Sequence, residues 1–147
     1  MEIVIPDKKD LMPKPVSEGV YKCLITKMER EISKKGKIMS NNEYTIQSQG
    51  PDPVEKTIGR KVFDYVVIHP DTLWRVSDFL KKACGKDIVD LFGVGEKVTE
   101  DEIFMRMKNE CLNKEVLVAV TVEMYKEEGS TADPVPQNRV KGLIAQS

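Results

Sequence analysis

From Gly59 to Trp74 the chain reads GRKVFDYVVIHPDTLW, and within these sixteen residues the apolar pattern changes period. Gly59 to Ile68 is rich in valine and aromatic side chains, which suit a pleated, largely covered surface. From Pro70 onward the spacing becomes helical. Proline is tolerated in a first turn, and Asp71 complements the positive end of a helix dipole. Leu73, Val76, Leu80, Ala83 and Cys84 then recur on one side, and Gly85 is a natural stop. A strand running without pause into a capped helix restricts the folds open to the chain.

The flanking sequence supplies four more strands. Gly19 opens VYKCLITKME, in which alternation puts Tyr21, Cys23 and Ile25 on one side and Lys22, Leu24, Thr26 and Met28 on the other. Ser33 to Lys37 reads as a basic turn around Gly36. Met39 to Gln49 is a second strand with Tyr44 and Ile46 on one face, and Gly50-Pro51-Asp52-Pro53 is a loop. Thr99 to Glu102 has the spacing that starts a second helix, with Ile103, Phe104, Met107, Cys111 and Leu112 on its apolar side. Glu115 to Lys126 is the strongest strand. Glu127 to Gln137 reads as a loop, and Arg139 to Ala145 as a short last strand. Met1 to Pro15, with three prolines, is expected to be an irregular arm ahead of one domain spanning residues 16–147. The expected fold is mainly β, a five-stranded OB-fold barrel with a helix between strands three and four and an extra helix in the same connection. Other small barrels share this order, since order alone does not fix pairing.

Composition narrows the function classes. The 147 residues are 40% hydrophobic and 32% charged, as in an ordinary globular domain, and the net charge of −1 gives no global attraction to nucleic acid. The distribution is uneven. Val20 to Lys61 holds nine Lys or Arg against five Asp or Glu, whereas Asp90 to Glu128 holds five against ten. MEIVIPDKKD lacks the pattern of a secretory signal, and the longest apolar run, Val116 to Val122, is too short to cross a membrane. A cytoplasmic location is expected. Cys23, Cys84 and Cys111 have neither disulfide-framework nor zinc spacing and are expected to be reduced.

No catalytic set is legible. His69, the only histidine, precedes Pro70 and is expected to act structurally. Glu100, Asp101 and Glu102 point in different directions on a helix and are explained by its dipole rather than by a metal. Gly93-Val94-Gly95 lacks the rest of a dinucleotide fingerprint, and Gly36-Lys37 lacks the spacing of a phosphate loop. Neither metal nor cofactor is expected, nor an enzyme.

Cations and rings point instead to nucleic acid. Lys34, Lys35 and Lys37 occupy the first turn, Arg60 and Lys61 begin the third strand, and Lys126, Arg139 and Lys141 surround the last hairpin. Such groups can follow a phosphate backbone and release counterions on binding. Tyr44, Phe63, Tyr65 and Tyr125 are the candidate stacking rings. Phe63 shares the third strand with Tyr65, but alternation is read as turning one of the pair into the core, and Tyr65 is the one kept in the interface.

Gly19-Val20-Tyr21, Ser33-Lys34-Lys35-Gly36-Lys37, Gly59-Arg60-Lys61-Val62-Phe63, Leu73-Trp74 and Phe79-Leu80 together resemble a family of small phage-encoded proteins. That family is similar to OB-fold single-stranded-DNA-binding proteins, and the resemblance spans Pro15 to Ile144. It implies a non-enzymatic, sequence-tolerant protein that coats single-stranded DNA during phage replication, recombination or repair. Replication or recombination proteins are the implied further partners, and a homo-oligomer is possible. The sequence departs from the pattern in its second helix and in Gly142 to Ser147, which lacks an acidic recruiting tail. The alternative reading is an OB-fold protein-interaction module of a replication or recombination complex.

Overall fold

The computed structural model describes residues 1–6, 14–126, 129, 131 and 133–145. Its strands are β1 (Gly19–Ile32), β2 (Ile38–Ile46), β3 (Lys61–Val67), β4 (Glu115–Tyr125) and β5 (Val135–Ile144). All pairs are antiparallel, in the order β3-β2-β1-β4-β5. A flat sheet of five strands would hold its edges about 19 Å apart, four spacings of about 4.8 Å. Here residues of β3 and β5 approach within 8 Å between Cα atoms, so the sheet curls strongly. No ladder joins these two edges. The fold is therefore mainly β with an open, curled sheet, and the hydrogen-bonded closure expected of a barrel is not made.

The link from β3 to β4 carries the helices. His69 caps a short turn at Pro70–Thr72 by accepting the Asp71 N–H on Nδ1 at 3.2 Å. Helix α1 (Leu73–Cys84) follows and stops at Gly85 in the left-handed conformation. Helix α2 (Ile88–Phe92) was not expected from the sequence. Its five residues are too few for a periodic signal, although Asp87 and Asp90 form a reciprocal capping box. Helix α3 (Glu100–Cys111) starts at Thr99, whose hydroxyl accepts the Glu102 N–H at 3.1 Å. Val76, Phe79, Leu80 and Ala83 of α1 are buried, as are Ile103, Phe104, Met107 and Cys111 of α3. α1 packs on β3, β4 and β5, and α3 packs on β1 and β2. Together they fill the hollow of the curled sheet, and each large apolar side chain sealed there contributes about 1.5–3 kcal/mol.

Strand β1 departs from simple alternation. Its register with β2 shifts between Ile25 and Lys27. The bulge carries the extra residue that moves Met28 onto the core face with Tyr21, Cys23 and Ile25, and all four are buried. Met28 therefore does not share a side with Lys22 and Leu24. The bulge also lets β1 continue to Ile32, where Arg30 bonds Asp101 of α3.

The last hairpin is longer than expected. Thr121 to Tyr125 overhang the Gly19 end of β1 and pair with Val135 to Arg139. Pro136 is tolerated because β5 is an edge strand. Val16 and Asn138 exchange two 2.8 Å hydrogen bonds, which pin the start of the domain to this hairpin. Of the expected N-terminal arm, residues 7–13 lie outside the described residues, and residues 1–6 are exposed without regular structure. Parts of the expected 127–137 loop, and residues 146–147, also lie outside them.

Candidate nucleic-acid interface

β3 builds the centre of the candidate surface. Val62 and Val66 turn into the core, which obliges Lys61, Phe63 and Tyr65 to point outward. Phe63 and Tyr65 are each 51% exposed. They are two residues apart, so both rings stand on one face. Reading one of them into the core was mistaken, because period-two alternation never separates i from i+2. Opposite them on β2 lie Glu43, paired with Phe63, and Asn41, paired with Tyr65.

The charges beside these rings are organised in pairs. Lys61 meets Glu43 at 3.1 Å, and Thr26 bonds the same carboxylate at 2.9 Å. Burial alone would raise the Glu43 carboxyl, but these hydrogen bonds and the lysine charge hold it below its ordinary value. Lys27 pairs with Glu29 at 3.0 Å, and that hydrogen bond raises its pKa. Arg60 reaches back to the Lys14 carbonyl. The aromatic face is thus close to neutral, with exchangeable ion pairs at its border.

Lys34 and Lys35 are exposed in the β1–β2 turn, and Lys37 is half-buried. Gly36 has φ +78°, the left-handed conformation the turn requires, and its N–H reaches the Ser33 carbonyl at 2.8 Å. Because Met39 pairs with Val67 and Asn41 with Tyr65, this turn flanks the Tyr65 end of the face. Lys61 pairs with Thr45, so Arg60 and Lys61 flank the other end. The expected cations therefore bracket the rings along β3.

Other expected residues fall elsewhere. Tyr44 is fully buried, and its hydroxyl donates to Asp64 at 2.9 Å. Burial, reinforced by the Asp64 charge, raises its pKa well above the ordinary value. Tyr44 belongs to the core and offers no ring to a base. Tyr125 is half exposed but pairs with Val135, seven residues before Gly142. That places it about 23 Å along β5 from the strand's approach to β3, at about 3.3 Å per residue. Lys126 follows it, and Arg139 is held by Glu123 at 3.1 Å. These three lie away from the Phe63–Tyr65 face. Lys141 does not, for it stands across the gap from β3.

That gap is a cleft of about 440 Å³ between the free edges of β3 and β5. Asp64 and Tyr65 line one wall, Lys141 and Gly142 the other, and α1 contributes Trp74 and Arg75. Trp74 is 70% exposed, with the Arg75 guanidinium 6.0 Å from its ring centre. Burial raises the Asp64 carboxyl, opposed by hydrogen bonds from Tyr44 and Asn42 and by the Arg75 charge. Asp64, Trp74 and Arg75 were not among the expected site residues, and Phe63 was weighed as a ring but not kept. A signal did exist for two of them: Phe63 shares parity with Tyr65, and Trp74 lies off the Val76–Leu80–Ala83 stripe of its helix. The described residues contain no group of three or more His, Cys, Asp or Glu placed to hold a metal, and no helix long and apolar enough to cross a membrane.

No protein-family model matches this chain, and no curated protein sequence is significantly similar to it.

Proposed function

We propose that the protein binds single-stranded DNA without strong sequence preference, along the outward face of β2 and β3. One observation carries this reading: Phe63 and Tyr65 present two half-exposed rings side by side on an edge strand, with cations at both ends of the row. Exposed aromatic surface of this kind marks a binding site, and unpaired bases offer it faces on which to stack. Duplex DNA hides those faces, while phosphates of a single strand can reach Lys34, Lys35 and Lys37 at one end and Arg60 and Lys61 at the other. The strand order and the approach of β3 to β5 support assignment as a partly open OB-fold, in which the second and third strands commonly hold oligonucleotides. Coating of DNA exposed during phage replication, recombination or repair is the role we infer.

Fluorescence anisotropy with labelled single-stranded and duplex oligonucleotides tests the proposal. Single strands should bind more tightly than duplex, and the affinity should fall as salt rises. Equal affinity for both forms, or none for either, overturns the reading and favours a protein-interaction module.

A further inference from the structure

The cleft between β3 and β5 adjoins the aromatic face, yet sequence-tolerant coating does not require a buried carboxyl there. Asp64 Oδ1 accepts from the Tyr44 hydroxyl at 2.9 Å and the Asn42 amide at 3.1 Å. No hydrogen bond from the described residues engages Oδ2. Among the described residues, the one fully shielded side-chain oxygen or nitrogen without a partner is Asn41 Oδ1, so Asp64 Oδ2 is not sealed inside. Asp64 lines the cleft wall, and Oδ2 is its one oxygen left without a donor among the described residues. Trp74 and Tyr65 line the same cleft, and Lys141 lines it from β5.

We propose that this cleft takes one unstacked base of the bound strand. The base stacks against Trp74, one of its amino groups donates to Asp64 Oδ2, and its phosphate rests near Lys141 and Arg75. The proposal deepens the single-stranded-DNA reading and rests on it for the identity of the ligand. The volume lies within the range of small-ligand sites, about 300–1,000 Å³. The Asp64 acceptor sorts the bases. Guanine, cytosine and adenine carry exocyclic amines. Thymine offers only an imino N–H between two carbonyls, which repel a carboxylate. The cleft therefore favours amine-bearing bases, and a largely sequence-tolerant protein acquires a preference at one position.

Trp74 is the only tryptophan, so its fluorescence in the full chain reports on the cleft directly. Titration with dGMP, dCMP, dTMP and 2-deoxyribose 5-phosphate should show quenching by the first two. Binding of dTMP should be about tenfold weaker, the scale of one charge-assisted hydrogen bond, and the sugar phosphate should not quench. Asp64→Asn keeps an oxygen for Tyr44 and Asn42 but replaces the free acceptor with a donor, and should remove the preference. Should that variant fail to fold, Lys141→Ala, at an exposed position, should weaken dGMP and dCMP binding severalfold and equally. Equal quenching by dTMP and dGMP, quenching by the sugar phosphate alone, or no quenching overturns the base site. Oligonucleotide anisotropy on Phe63→Ala separates the two readings. Weakened oligonucleotide binding by that variant with mononucleotide quenching intact supports both. Unchanged oligonucleotide binding by the variant counts against coating along β3 and spares the cleft, and wild-type oligonucleotide binding without mononucleotide quenching removes the cleft alone.

Discussion

At the scale of single residues, Tyr44 and Tyr65 show how the same side chain serves opposite ends. They sit on neighbouring strands, one sealed and bonded to Asp64, the other half open to solvent. Tyr44→Ala should leave a cavity and take from the Asp64 carboxyl one of its two donors, costing about 3–5 kcal/mol of stability. Phe63→Ala and Tyr65→Ala should leave the melting temperature near that of wild type and cost about 1–3 kcal/mol of oligonucleotide binding per stacked base. Thermal melts and anisotropy on the same variants check both statements. Asp64 adds a pH signature. Its carboxyl is raised by burial, so the folded state holds a proton to higher pH than the unfolded chain does. The associated stability is present below the ordinary aspartate value, about 3.9, and is lost as pH rises through the raised folded value. Melts of Asp64→Asn across that interval should therefore gain on wild type as pH increases. Glu43, held below its ordinary value, has the opposite sign, and its contribution is lost as pH falls.

At the scale of elements, β3 is the strand on which the proposed function turns. It is seven residues long, is an edge, and leads directly into the turn capped by His69, so the rings and the Trp74–Arg75 pair end up on adjoining surfaces. The β1–β2 turn is energetically separable from this arrangement. Lys34 and Lys35 are exposed, and among the described residues no ion pair holds any of the turn's three lysines. Replacing Lys34, Lys35 and Lys37 together with alanine should change stability by only about 0.5 kcal/mol per site. Affinity should drop for all single-stranded sequences, and the log–log salt slope should become shallower by up to about 2, roughly 0.7 per lost phosphate contact. Salt titrations of variant and wild type measure this. An unchanged slope would mean that the turn is merely solvated.

For the whole molecule, the curled sheet closes over its helices without closing on itself. The sealed interior should be visible in thiol chemistry. Cys23 is buried under the sheet, with its thiol pushed up to about 12 by burial, and Cys111 is raised by burial and by neighbouring Cys84. Thiolate is the reactive form. Half-buried Cys84 should therefore be the first to react with an aromatic disulfide reagent, with Cys23 and Cys111 protected until denaturant opens the core. Counting released thiolate against denaturant concentration checks this. Reaction of all three thiols at native conditions would show that the helices do not stay packed in the sheet.

The strands, two of the three helices and their order were legible because they rest on local rules. Alternation at Val62 and Val66, the Val76–Leu80–Ala83 stripe, Gly85 and the Thr99 cap each act within a few residues. The same locality made the Lys34–Lys37 turn readable. Three features were beyond that reach. The bulge that turned Met28 inward depends on pairing with β2, and the overhang that lengthened β5 depends on pairing with β4. The burial of Tyr44 depends on which face the helices cover, since period two gives the two faces of a strand but not which one meets the core. The cleft is the extreme case. Asp64, Trp74 and Lys141 are brought together by the curl of the sheet across segments far apart in the chain, and no local pattern in the amino-acid order records that curl.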